Sequence, residues 1–168
     1  SPINMKQVKT LYIVRHAKSS WDNYDLSDHD RPLLPIGIKK TNKIAKYFFR
    51  KNISPELFIS STAVRAFETA VIIANGVGYD PDAIVKSKNL YHAGVDEIYG
   101  ELFALDNSIN SVIMFGHNPT LTYFVNNFVT PEIDNFPTSG AFCVEFKSNS
   151  WESIVNAKFK VKFTVFPR

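Results

Sequence analysis

The apolar positions of this chain fall into short continuous runs separated by amphipathic stretches. Leu11-Tyr12-Ile13-Val14 is apolar throughout and runs directly into Arg15-His16. A run that does not alternate predicts a strand covered on both faces, as in a parallel sheet. Leu57-Phe58-Ile59 and Val112-Ile113-Met114-Phe115 repeat the pattern. Helical periods lie between. Over 36–51, Gly37, Thr41, Ile44, Ala45 and Phe48 share one face, and Lys39, Lys43, Lys46 and Arg50 mark another. That basic stripe reads as the solvated side of an amphipathic helix. Ser60-Ser61-Thr62 supplies capping hydroxyls for a buried helix reaching about Ala74, ended by Gly76 and Gly78. A weak strand is predicted near Ile84-Val85, then a helix carrying Val95, Ile98, Leu102 and Leu105. After the third apolar run, Asn118 is the predicted N-cap and Pro119 the first residue of a helix faced by Leu121, Phe124, Val125 and Phe128. From Ala141 the pattern changes to strands, 141–146 and 157–165. In the second, Phe159, Val161, Phe163 and Val165 alternate with Lys160, Lys162 and Thr164, which suits a sheet edge.

Strand and helix alternating, then strands, predicts an α/β fold: a mixed, mostly parallel sheet with helices on both faces. Residues 1–168 read as one domain, with Met5 as the natural start and residues 1–4 added ahead of it. The 168 residues suffice for a sizeable core, and 45% hydrophobic with 21% charged residues argues against disorder. The net charge of +3 permits anionic ligands without indicating nucleic acid. No run approaches the roughly 20 apolar residues of a membrane span, and no signal peptide is apparent. The single cysteine, Cys143, excludes an intrachain disulfide and favours a cytoplasmic protein.

Chemistry gathers at the strand ends, where open parallel sheets place their ligands. The first strand delivers Arg15 and His16, the second a helix carrying Arg65, the third His117. Parallel neighbours would bring these four side chains to one edge. Arginine forks suit phosphate oxygens, and helix N-termini there favour an anion. Two histidines and two arginines without a nearby carboxylate cluster argue for phosphoryl transfer through a histidine. The plainer reading of Arg15-His16 alone is a solvated strand end. A P-loop, a dinucleotide fingerprint, a Gly-x-Ser-x-Gly elbow and zinc-ligand spacing are all missing, so no metal or cofactor is expected.

Leu11 to His16 with Ala17-Lys18-Ser19-Ser20-Trp21, Asp30-Arg31-Pro32-Leu33 with Ile36-Gly37, Ser60 to Ala70 with its central Arg65, and Gly116-His117-Asn118-Pro119 occur in register. Together they resemble the histidine phosphatase superfamily, the phosphoglycerate mutase-like branch, and most of all the SixA-like phosphohistidine phosphatases. The resemblance implies a three-layer α/β/α fold, a covalent phosphohistidine intermediate and no metal. It implies His16 as nucleophile, with Arg15, Arg65 and His117 forming the phosphate pocket. Arg31 is either a residue at the pocket mouth or the partner of Asp28 or Asp30 in a loop salt bridge. Lys18 either faces substrate or is an exposed loop lysine. Asn118 is a ligand or a cap, and Ser61 and Thr62 read as caps. Relatives carry a glutamate acid where this chain has Leu90-Tyr91-His92. His92 and Asp22 are the candidate general acids, the first otherwise a surface histidine. His29 is expected among solvated acids. His16 is expected neutral, and His117 most effective as a cation once a dianion is bound. The expected partner is a phosphorylated protein, such as a histidine phosphotransfer domain, or a small phosphate ester, with no nucleic acid and no membrane. The alternatives are a small-molecule phosphomonoesterase and a non-catalytic phosphate- or phosphohistidine-binding module.

Overall fold

A computed structural model describes residues 7–21 and 26–168. Met5, residues 1–4 and Asp22 lie outside the described residues. The elements are β1 (Val8–Arg15), α1 (Pro35–Arg50), β2 (Leu57–Ser61), α2 (Val64–Val77), β3 (Val85–Ser87), α3 (Val95–Phe103), β4 (Ser111–Gly116), α4 (Thr120–Val125), β5 (Ala141–Lys147) and β6 (Phe159–Val165). The sheet runs β3-β2-β4-β1-β5-β6. The four strands from β3 to β1 are mutually parallel, and β5 pairs antiparallel with β1 and β6 with β5.

The continuous apolar runs serve two cores at once. Leu11 and Ile13 of β1, with Val112 and Met114 of β4, face a cluster shared with α3 and α4. Val14 of β1, with Ile113 and Phe115 of β4, faces the opposite cluster under α1 and α2. Successive strand residues point to opposite faces, so a doubly covered strand must be apolar at every position. The predicted inner face of α1 is the buried one: Gly37, Thr41, Ile44, Ala45 and Phe48. The last strand, β6, lies at the sheet edge with Lys160, Lys162 and Thr164 exposed.

Several boundaries differ from the sequence expectation. β1 begins at Val8, and Lys9 is buried within it. Its ammonium donates to Asn107 O (2.6 Å), Ile109 O (3.1 Å) and Asn110 Oδ1 (2.9 Å), which offsets the cost of removing a charge from water. Ser60 and Ser61 are strand residues, and α2 starts after Ala63 with no side-chain cap. Gly76 lies inside α2, and Gly78 (φ 78°) ends it. α4 starts at Thr120, one residue later than expected, with Pro119 at the N-cap position. Leu105 and Phe128 fall just beyond their helices but still pack on the core. Among the described residues no helix is long and apolar enough to cross a membrane.

Candidate active site

Strand register assembles the site. Arg15 lies opposite Gly116, and Ser60 opposite Phe115, so β1, β4 and β2 end at the same level. The next residues, His16 and His117, are therefore neighbours, with ring centroids 5.1 Å apart. The backbone at this turn is held from three sides. His16 N donates to Gly116 O (3.1 Å), Ser139 N donates to Arg15 O (3.1 Å) and Ala17 N donates to Thr69 Oγ1 (2.9 Å). Thr69 Oγ1 in turn donates to Arg65 O (2.7 Å), tying the His16 turn to the helix that carries Arg65. At Gly37 a Cβ would meet Lys18 O at 2.5 Å, so glycine is what lets α1 seat against the loop after β1.

Arg15, His16, Lys18, Arg31, Arg65 and His117 line one open cleft of about 790 Å³, together with Trp21, Asp28, His92 and Asn118. The Nδ1 of His16 lies 2.8 Å from Ala17 O. A carbonyl can only accept, so Nδ1 carries the proton and Nε2 keeps its lone pair. Burial pushes the His16 pKa down to about 4, with Arg65, Arg15 and Arg31 adding to the effect against the Ala17 hydrogen bond. Neutral His16 agrees with expectation.

The expectation for His117 concerns the phosphate-bound site. In the protein by itself, burial, then the neighbouring His16 and Arg65, lower it to about 3, so the ring is neutral. Its Nε2 lies 2.7 Å from Ser61 Oγ, which also accepts from Ala63 N. The tautomer that satisfies both groups has Ser61 donating to Nε2, with the proton on Nδ1. Among the described residues, the buried side-chain nitrogens and oxygens without a partner are Arg15 Nε, Arg65 Nε and His117 Nδ1. Leaving a buried donor unpaired costs about 1–3 kcal/mol, so three on one cleft mark a place for acceptor oxygens.

One carboxylate here was weighed from the sequence only as a partner for Arg31. Asp28 Oδ2 accepts from Arg65 Nη2 (3.1 Å) and Tyr91 OH (2.7 Å), and Oδ1 accepts from Arg31 Nε (3.2 Å) and Nη2 (3.0 Å). Burial pushes the Asp28 carboxyl up, but Tyr91, Arg65 and Arg31 outweigh it and hold it at about 2. Of the two acids offered for Arg31, the partner is Asp28. Arg31 Nη1 donates to Ser19 Oγ (2.8 Å), and its guanidinium lies 3.4 Å from the Trp21 ring centroid, so it lines the cleft with its donors already engaged. Lys18 is exposed on the cleft wall. The Asn118 amide donates to Asn135 Oδ1 and Phe136 O, and its Oδ1 accepts from Thr122 N, so it caps α4 from one residue before the N-cap. Ser61 and Thr62 are not caps for α2. Thr62 Oγ1 pairs instead with His29 Nε2 (2.9 Å), which removes His29 from a purely acidic setting. His92 is exposed at the cleft, against the Tyr91 ring at 4.0 Å. Asp28, Ser61 and Tyr91 carried no sequence signal beyond the loop acid weighed for Arg31, because only tertiary register brings them to the histidines. Among the described residues no three His, Cys, Asp or Glu side chains converge as a metal site.

A mostly parallel sheet, covered on both faces and presenting two imidazoles and two guanidiniums at its carboxyl edge, defines an α/β protein with a basic cleft at the ends of its strands. The sequence model of the histidine phosphatase superfamily (branch 1) matches residues 11–96, and the chain belongs to that family. An uncharacterized protein of Mycobacterium leprae (strain TN) is 31% identical over 141 residues, which cover 76% of this chain and 83% of that protein. An uncharacterized chloroplastic protein of Arabidopsis thaliana is 43% identical over 61 residues, or 36% of this chain and only 28% of that protein. Among solved structures, a protein of Agrobacterium tumefaciens assigned as the phosphohistidine phosphatase SixA is 26% identical, with a TM-score of 0.78 over 95% of this chain and 98% of that one. A mycobacterial glucosyl-3-phosphoglycerate phosphatase shares the fold at 14% identity and a TM-score of 0.65, over 92% of this chain and 97% of that one.

Proposed function

We propose that the protein is a phosphatase that removes phosphate from phosphohistidine on a protein, of the histidine phosphotransfer type, acting as one domain and without a metal. The observation that carries this reading is the set of three unpartnered buried donors, Arg15 Nε, Arg65 Nε and His117 Nδ1, around a histidine whose Nε2 holds a free lone pair. The Nε2 of His16 attacks phosphorus as the bond to the leaving group breaks. Arg15, Arg65 and His117 donate to the non-bridging oxygens as charge builds there. Water then attacks the phosphohistidine, its protons go to the released phosphate, and the lone pair returns to Nε2.

The leaving group follows from the acid. Asp28, held at about 2, is ionised and cannot give a proton. His92 is the remaining described candidate, and it is exposed. A phosphoimidazole protonated on its other ring nitrogen leaves as neutral imidazole and needs no such help, an aryl oxide needs little, and an alkoxide needs much. A reducing compartment such as the cytoplasm suits a chain whose one cysteine is buried.

The test is phosphate release from a phosphohistidine-bearing phosphotransfer protein, p-nitrophenyl phosphate and a sugar phosphate, with chelator present. Wild type should release phosphate in that order of rate, and His16→Ala should lose release from all three. Faster turnover of the sugar phosphate would instead make the protein a small-molecule phosphomonoesterase. Binding of the phosphoprotein without turnover would make it a binding module.

A further inference from the structure

We propose that Asp28 is a positioning residue that aims Arg65 at the phosphoryl group and limits how tightly the cleft holds free phosphate. The inference rests on the phosphatase reading above.

Arg65 meets Asp28 along one edge. Its Nη1 donates to the Asp28 backbone oxygen (2.8 Å) and its Nη2 to Oδ2 (3.1 Å), while Nε stays buried and unpartnered. A carboxylate offers the guanidinium fork the same paired acceptors that a phosphate does. Asp28 therefore fills the side of Arg65 that an unrestrained arginine would also turn toward phosphate, and leaves the Nε side for the reacting group. Its own direction is fixed by Tyr91 OH on Oδ2 and by Arg31 on Oδ1. The cleft carries Arg15, Arg31 and Arg65, and among the described residues Asp28 is the one carboxylate that lines it. That negative charge opposes a bound anion. Removing it should improve the binding of phosphate and worsen the alignment needed for transfer, two effects of opposite sign on the ground state and the transition state.

The experiment compares wild type, Asp28→Asn and Asp28→Glu by calorimetric titration with inorganic phosphate and by kcat on p-nitrophenyl phosphate. Asp28→Asn should bind phosphate several-fold more tightly and turn over at least tenfold more slowly. Asp28→Glu keeps the charge, so phosphate affinity should stay within about twofold of wild type while kcat falls, because the carboxylate is displaced by one methylene. A simple loss of structure would weaken binding and turnover together. Phosphate binding by Asp28→Asn that is unchanged or weaker overturns the inference, as does an Asp28→Glu enzyme with wild-type kcat. Should Asp28→Asn fail to fold, the Glu variant decides alone. A wild type that turns over none of the substrates defeats the phosphatase reading, and the phosphate titrations then decide for Asp28 by themselves.

Discussion

His16 is made ready by a carbonyl, and His117 by a hydroxyl. Ala17 O fixes the proton of His16 on Nδ1, and Ser61 Oγ favours the His117 tautomer whose Nδ1 proton is left for a ligand. On the proposed roles, Ser61→Ala removes that preference without touching the substrate. We expect kcat on p-nitrophenyl phosphate to fall about tenfold, the worth of roughly one hydrogen bond (about 1.4 kcal/mol). An unchanged kcat with an intact fold would show that the tautomer is set elsewhere. Arg15, His16, Arg65 and His117 were legible in the sequence because each sits at the last residue of a strand or one to a few residues past it, where chain position predicts spatial position. Ser61 and Asp28 were not. Ser61 reads as a helix cap because Ser-Ser-Thr before a helix ordinarily is one, and only pairing of β2 beside β4 turns its hydroxyl to His117. Asp28 sits in a polar loop where an aspartate ordinarily faces water, and its partners come from α2 and from Tyr91.

The elements were legible where both faces are covered and less so at their ends. Continuous apolar runs located β1, β2 and β4, and the three-to-four spacing located the buried face of α1. Local composition failed where a tertiary contact decides. Gly76 reads as a helix stop, yet it lies within α2 because a Cβ there would stand 2.6 Å from the Ala45 Cβ of α1. The glycine lets two helices on the same face of the sheet approach closely. Gly76→Ala should therefore destabilise the protein despite the better helix propensity of alanine, which recovers about 1 kcal/mol. Overpacking of this kind costs roughly 1–3 kcal/mol, so a net loss of up to about 2 kcal/mol in denaturant unfolding is expected, with the cleft and kcat unaffected. A gain in stability would mean that α1 and α2 part without cost.

At the scale of the whole molecule, the site is built at the expense of acid stability. His16 is held at about 4 and His117 at about 3, against 6.5 for the free side chain. The sign follows from proton binding. Below about pH 6.5 the unfolded chain takes up protons at these two positions and the folded chain does not, so stability falls as pH falls and levels off only near the folded values. Asp28 acts in the same direction but lower, between its ordinary 3.8 and about 2. Each pKa unit corresponds to about 1.4 kcal/mol, so at pH 5 each histidine withholds roughly 2 kcal/mol relative to pH 7, and less than the sum if the pair titrates together. Urea unfolding in phosphate-free buffer at pH 7 and pH 5 measures the difference. The wild type should lose a few kcal/mol, and His16→Gln, which cannot take up the proton in either state, should lose distinctly less. A flat wild-type profile would mean that both rings take up their protons in the fold as readily as in the unfolded chain. Inorganic phosphate supplies the opposing force. An anion that accepts from His117 Nδ1 and the two Arg Nε groups binds only the folded chain, so it should restore part of the lost stability in proportion to the logarithm of its concentration. That recovery links the stability of the whole molecule to the same three donors that the proposed reaction uses.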